Sequence, residues 1–347
     1  MWMKFHKWLW FLAAVFALSV PGCCVAPTAE SLQRFEFQRP HMGTLFTITL
    51  FAPDENVARA ASDAAFVKVA TLDRMMTDYD PESELMKLCQ RPVGEAVRVS
   101  DELFDVLQKS QRIAELSSGA FDMTVGPVVR LWRRTRRTGV LPNSEDLLRA
   151  RDAVGWKKLK LDPANKTATF TVPNMQLDLG GIGKGYAADK ALDVLKQHGT
   201  TRALVAASGD IVAGDAPPGE RGWRVGIGML DGGQNELARK LLLRNAAVST
   251  SGDSEQFVEI GGKRYSHIVD PRTGIGVTER LQVSVVARHG EDSDSFDTAI
   301  SVLGVERGLK LVNSQPGIAV LILRRDGGRT QVFESRRWKK VPLADAR

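Results

Sequence analysis

The sequence predicts a mixed α+β fold, and three observations point to it. Strand-like and helix-like segments follow one another without strict βαβ alternation, which disfavours a doubly wound parallel sheet. The 347 residues are 43% hydrophobic and 25% charged, the balance of a globular chain rather than a disordered or fibrous one. Beyond Ser31 no stretch is long and apolar enough to span a bilayer. At roughly 100–200 residues per domain the length admits one large unit or two modest ones. We read a single compact unit over residues 35–347, with room for two lobes.

The first element, residues 1–22, reads as an export signal. Lys4, His6 and Lys7 give a positive start, and Trp8 to Val20 is a 13-residue run broken only by Ser19. That run is shorter than the about 20 residues a bilayer needs. Val20-Pro21-Gly22-Cys23 resembles the lipobox of bacterial lipoproteins, in which Cys23 becomes the acylated N-terminus. An ordinary cleaved signal peptide is the alternative, and either reading places the remainder outside the cytoplasm. Residues 23–34 are then a tether. Without Lys4 and Lys7 the balance is 45 basic against 41 acidic residues, too mild to indicate nucleic acid. Three cysteines, two of them adjacent, supply neither a disulfide framework nor a Cys-rich zinc site, so Cys89 is expected as a buried or unpaired thiol.

The remaining elements follow from periodicity and punctuation. Thr44–Phe51 is β-rich and bounded by Gly43 and Pro53. From Asn56 to Met76 apolar residues recur at helical spacing: Val57, Ala60, Ala61, Ala64, Val67, Leu72 and Met75. Ser100 reads as the N-cap of a helix reaching about Ser117 and closed by Gly119. Strands are expected over 166–172, 202–207, 223–227, 256–260, 281–287 and 317–323, and helices over 185–198 and 293–313. Residues 213–222 and 135–146 read as insertions or lids. The run Arg130-Leu-Trp-Arg-Arg-Thr-Arg-Arg137 reads as a solvated helix end facing anionic headgroups or an acidic partner.

Three constellations carry chemistry. Asp178-Leu-Gly-Gly-Ile-Gly-Lys-Gly185 is neither a P-loop nor a dinucleotide fingerprint, because the glycines and the Ser/Thr fall at the wrong positions. Its physics still suits an anion: glycines allow close backbone approach, a helix N-terminus follows, and Lys184 adds a charge. Asp178 is placed to accept hydrogen bonds from a base, a sugar or a ring. In His267-Ile-Val-Asp-Pro-Arg-Thr-Gly274 a tight turn is surrounded by donors and acceptors, and it reads equally as structure or as site. Asp294 and Thr298 are four apart, so on a helix their oxygens share one face as a hard pair suited to Mg²⁺. Taken singly, N-capping by Ser293, Asp294 and Ser295 explains that stretch as well. Gly252-Asp-Ser-Glu-Gln256 lacks the last glycine of a nucleophile elbow, which argues against a serine hydrolase.

Together these segments are specific. Met42-Gly-Thr44, Thr77 to Leu85, Gly119 to Pro127, Asp178 to Gly185, Ser208-Gly-Asp210, His267 to Gly274 and Asp294 to Thr298 occur in an order that resembles the ApbE family of FAD:protein FMN transferases. The resemblance covers about residues 35–325 and implies a mixed α+β fold. It implies an enzyme that binds FAD with Mg²⁺, cleaves the pyrophosphate, and passes FMN to a Thr or Ser hydroxyl of an acceptor protein with release of AMP. It further implies Asp294, Thr298 and the carbonyl of Gly181 as metal ligands. Met42, Tyr79, Ala120, Phe121, Asp122, Asp178, Lys184 and Ile268 match the FAD-contacting positions. His267 is our candidate base for the incoming hydroxyl, with Asp270 as its orienter or as an alternative base. The expected setting is the bacterial periplasm, lipid-anchored to the inner membrane, with a membrane-bound redox subunit as acceptor. An FAD pyrophosphatase and a non-catalytic flavin-binding lipoprotein are the rival readings.

Overall fold

A hairpin of two nine-residue strands with alternating side chains starts the main sheet. In a computed structural model, which describes residues 32–230, 237–252 and 256–344, β1 (Gln33–His41) pairs antiparallel with β2 (Thr44–Ala52). Residues Phe46, Ile48, Leu50 and Ala52 of β2 point into the core, the period-2 pattern of a strand covered on that face. The signal segment, Cys23 and most of the tether lie outside the described residues; β1 begins at Gln33, so folded structure reaches into the tether expected over 23–34.

Helix and strand then alternate irregularly. α1 (Glu55–Met76), α2 (Glu84–Cys89), β3 (Val97–Arg98), α3 (Asp101–Leu116), α4 (Gly126–Thr138) and α5 (Ser144–Asp152) precede β4 (Leu159–Asp162) and β5 (Thr167–Phe170). α6 (Gly183–Gln197) leads into β6 (Ala203–Ala207), β7 (Asp210–Ala213), β8 (Trp223–Gly228), β9 (Leu237–Leu243) and β10 (Ala246–Gly252). Short hairpins β11 (Phe257–Ile260), β12 (Lys263–Ser266), β13 (Val269–Asp270) and β14 (Ile275–Gly276) follow. The chain ends with β15 (Leu281–Ala287), α7 (Gly290–Ser314), β16 (Ala319–Asp326) and β17 (Arg329–Glu334).

The eight-stranded sheet runs β1-β2-β6-β7-β10-β15-β16-β17, and every neighbouring pair is antiparallel. That is the sheet of an α+β fold. Both faces are covered. Val205, Val283, Val285, Val320 and Ile322 join α1, α6 and α7 in the main core, while Ala319, Leu321 and Leu323 pack with Trp223, Leu241 and Trp338 on the other side. A small cluster of Val128, Trp132, Val154, Tyr265 and Val269 ties α4 to the hairpins, so the anticipated second lobe is a satellite of one unit.

Two readings are corrected. The buried face of α1 is Ala58, Ala61, Ala65, Phe66, Val69, Leu72 and Met76, while Val57 and Val67 face water. Alanines at many positions leave the face ambiguous, and packing of the larger Phe66 and Val69 decides it. Residues 135–146 are not a lid: they hold the last turn of α4, closed by Gly139 at φ +69°, and the N-cap of α5 at Asn143.

Candidate functional site

The site forms where α6 crosses α7 at backbone distance. A Cβ on Gly290 would stand 2.6 Å from the Gly185 carbonyl oxygen, and one on Gly185 would overlap the Gly290 carbonyl and reach 2.8 Å from Asp294 Cβ. Only glycine permits this approach, which is why Gly185 stands where a P-loop would have Ser or Thr. Asp189 of α6 then receives the Gly290 and Glu291 amides (2.9 and 3.0 Å) and caps α7 from a neighbouring helix. The cap lies upstream of Ser293, so Ser293, Asp294 and Ser295 are inside the helix and N-capping does not explain Asp294.

Asp294 instead crosses to α6. Its Oδ2 accepts the Gly185 amide at 2.9 Å, so the anion at the α6 N-terminus is the protein's own carboxylate. Thr298, one turn on, meets the glycine-rich loop: a Cβ on Gly181 would stand 3.0 Å from Thr298 Oγ1 and 3.3 Å from Phe121 Cε2. The two distant stretches expected to share a metal are therefore adjacent.

Two carboxylates that sequence reasoning left without a role complete the cluster. Oxygens of Asp210, Asp294 and Asp297 all lie within 4.8 Å of one another, and all three residues are buried. Lys184 pairs with Asp210 and stands 3.8 Å from Asp294 Oδ1. Ser251 Oγ donates to Asp297 Oδ1 at 2.8 Å. Burial opposes charge on Lys184, but Asp294 and Asp210 outweigh it and move its pKa up. Burial, reinforced by Asp210, pushes Asp294 up to about 7, and burial with Asp294 and Asp210 raises Asp297 well above the carboxylate range. One lysine thus faces three carboxylates, an imbalance that a divalent cation would relieve. The donor set of Asp294 carboxylate, Thr298 hydroxyl and Gly181 carbonyl is all hard oxygen and fits Mg²⁺.

A second group flanks the loop. Arg133 of α4 pairs with Asp78 and reaches Asp178 Oδ2 at 3.0 Å, and its guanidinium lies 4.5 Å from the centre of the Tyr79 ring. Tyr79 is 77% exposed, so its other face is open. Arg133 is therefore no part of a solvated helix end. An arginine three residues after Arg130 and one after the buried Trp132 was the available signal, obscured by its four arginine neighbours. Burial, with Asp78 adding repulsion, raises the Asp178 pKa, and Arg133 works against both. Burial opposes charge on Arg133 too, but its two carboxylates prevail and its pKa rises.

Several expected contacts are already engaged within the protein. Both Asp178 oxygens have partners, the Gly180 amide at 2.8 Å and Arg133. Asp122 accepts from the Thr124 amide and hydroxyl and from the Trp156 amide, all within 2.8 Å, and burial raises its pKa. Ala120 and Phe121 are buried. Lys184 is held by Asp210 as described. Met42, at φ +51°, donates its amide to Asp73 of α1 at 2.8 Å. Asp270 accepts from the Arg272 guanidinium with both oxygens at 2.8 Å and also from the Arg272 amide, so its carboxylate is engaged in an ion pair. His267 Nδ1 lies 3.1 Å from the Gln256 carbonyl, and the Ile268 amide donates to Ser266 Oγ at 3.1 Å. Cys89 is partly buried, with its thiol pushed up to about 11 by burial. A cavity of about 350 Å³ lies between Asp122, Trp156 and Arg272, while a larger one of about 650 Å³, lined by Leu243, Ile318 and Leu343, contains no expected site residue.

The antiparallel sheet presents a lysine-balanced carboxylate cluster beside a glycine-rich helix start, and proteins similar to this chain are transferases. Residues 42–322 match the family model described as the ApbE family, and the chain belongs to that family. It is 31% identical over 309 residues to the FAD:protein FMN transferase of Treponema pallidum, covering 84% of this chain and 85% of that protein. The protein of that name in Klebsiella pneumoniae is 29% identical over 321 residues, 91% of each chain. Solved structures agree: the flavin transferase ApbE of Vibrio cholerae superposes with a TM-score of 0.81 at 27% identity, covering 89% of this chain and 99% of that one. The apo flavinyl transferase ApbE of Pseudomonas stutzeri gives 0.81 at 27% identity, covering 91% and 98%.

Proposed function

We propose that this chain, a flavin transferase by family, moves FMN from FAD to a Thr or Ser hydroxyl of an acceptor protein, with Mg²⁺, and releases AMP. The relatives' shared name, FAD:protein FMN transferase, supports the substrate and the group moved. The observation that carries the metal-dependent reading is the α6–α7 crossing, which brings Gly181, Asp294 and Thr298 into one acidic corner. Mg²⁺ bound there would supply charge neutralisation for the pyrophosphate.

The chain's own groups do the rest. The Asp294 carboxylate, the Thr298 hydroxyl and the Gly181 carbonyl would hold the ion, with Asp294 held in place by the Gly185 amide. Lys184 and Asp210 fix the local charge, and Ser251 orients Asp297. Tyr79 offers an open ring face for stacking, backed by Arg133. A carbonyl can only accept, so His267 Nδ1 carries the proton toward Gln256 and Nε2 is the basic nitrogen that takes the proton of the acceptor hydroxyl. The test incubates pure protein with FAD and Mg²⁺, with and without a Thr-containing peptide. Flavin-labelled peptide with AMP supports transfer; AMP without label supports the pyrophosphatase reading; no turnover supports flavin binding alone.

We also propose extracytoplasmic residence with Cys23 as the lipid anchor, and a membrane-bound redox subunit as acceptor. No helix among the described residues is long and apolar enough to cross a membrane, so anchoring would rest on the N-terminus. Cys23→Ser should move the protein from the membrane to the soluble fraction; unchanged partitioning would argue against acylation at that residue.

A further inference from the structure

Arg133 and Arg136 bond to groups at the site, whereas three other arginines of α4 do not, although the Arg130 charge is felt at Asp178. Arg130, Arg134 and Arg137 follow at i, i+4 and i+7 and form one exposed stripe. None of the three makes an ion pair among the described residues, and Arg130 reaches Met86 Sδ at 3.7 Å. Such a stripe is costly to maintain through self-repulsion unless something acidic meets it. Its position says what. Arg136, on the same helix, donates to Gln256 Oε1 at 3.3 Å, and the Gln256 carbonyl is the partner of His267 Nδ1. The stripe therefore borders the place where an acceptor hydroxyl must arrive. Beyond it the chain exposes Val140, Leu141 and Leu148, aliphatic side chains without cover. Arginine is enriched at protein interfaces, and exposed aliphatic side chains beside it add apolar area for a partner to cover.

We propose that Arg130, Arg134 and Arg137 with Val140, Leu141 and Leu148 form the docking surface for the acceptor protein, which presents acidic residues flanking its flavinylated hydroxyl. This inference rests on the transferase reading above and adds how the acceptor is chosen. Exposed charges of this kind act on encounter and selection, so their effect is strongest at low salt.

The test uses the whole protein and two peptides sharing a central Thr, one flanked by Asp and Glu, the other by Asn and Gln. Binding is read by fluorescence anisotropy at low and high salt, and FMN transfer by mass. Wild type should bind the acidic peptide about tenfold more tightly at low salt and lose the preference at high salt. R134E/R137E should abolish the preference while leaving FAD binding and the neutral peptide unaffected. Equal binding of both peptides by wild type, or a preference that survives in R134E/R137E, overturns the proposal. So does loss of binding to phosphatidylglycerol vesicles in that variant while peptides are bound alike, which would assign the stripe to a membrane. Preferential binding without any flavin transfer would uphold the surface and sink the transferase reading; transfer without preference would do the reverse.

Discussion

Gly185→Ala is the sharpest perturbation of the site that replaces no reactive group. The added Cβ would overlap the Gly290 carbonyl and stand 2.8 Å from Asp294 Cβ, where carbon atoms ordinarily keep about 3.5–4.0 Å. The two helices must separate by about 1 Å, and overpacking of that kind costs about 1–3 kcal/mol. Separation also weakens the Gly185 amide bond to the Asp294 carboxylate, a charged hydrogen bond of about 1.5–3 kcal/mol. A total of about 2.5–6 kcal/mol would lower the melting temperature by about 4–9 °C in a chain of this size. Gly183→Ala is the control, since its nearest neighbour beyond the helix is Met76 Cε at 3.9 Å. Circular dichroism melts and FAD turnover on both variants decide the matter. A G185A protein with wild-type melting and turnover, or a G183A protein equally damaged, would refute the helix-crossing account.

Three further outcomes are expected. His267→Ala should lose FMN transfer and retain FAD binding, measured by peptide labelling and flavin fluorescence; unchanged labelling removes His267 from the mechanism. Arg133→Met leaves Asp78 and Asp178 facing each other without their cation, and should weaken FAD binding about tenfold with a loss of about 1–3 kcal/mol in denaturant unfolding; equal FAD affinity would deny Arg133 a part in the site. Asp189 is raised to about 7 by burial, so between pH 4 and 7 the folded state holds a proton that the unfolded state has released, and stability falls as pH rises through that range. Asp189→Asn should therefore flatten the fall in stability between pH 4 and 7; identical slopes would contradict a buried, proton-holding Asp189.

What was legible in the sequence is what is local. Asp294 and Thr298 lie four apart on one helix, the glycine-rich loop announces a close approach, and Ser100 caps its helix, accepting the Leu103 amide at 3.3 Å. Asp210 and Asp297 escaped a role because their place depends on β7, β10 and α7 meeting, and a contact between residues 87 apart leaves no spacing to read. Asp297 offered one signal, a third carboxylate three residues after Asp294 and directly before Thr298. The cap on α7 comes from Asp189, about 100 residues upstream, so no local motif marks it. β1 was missed because Phe35 and Phe37 alternate within charged residues, and only pairing with β2 fixes it as a strand. Chemistry that looked available in isolation, at Asp122, Asp178 and Asp270, proved engaged by amides and arginines that approach from elsewhere in the chain.

Mn²⁺ titrated into the protein with FAD present, and followed by electron paramagnetic resonance, reads the metal site without waiting for turnover. Wild type should show one protein-dependent bound ion that is lost in Asp294→Ala combined with Thr298→Val. An unchanged bound signal in that double variant would contradict a cation held by those two side chains.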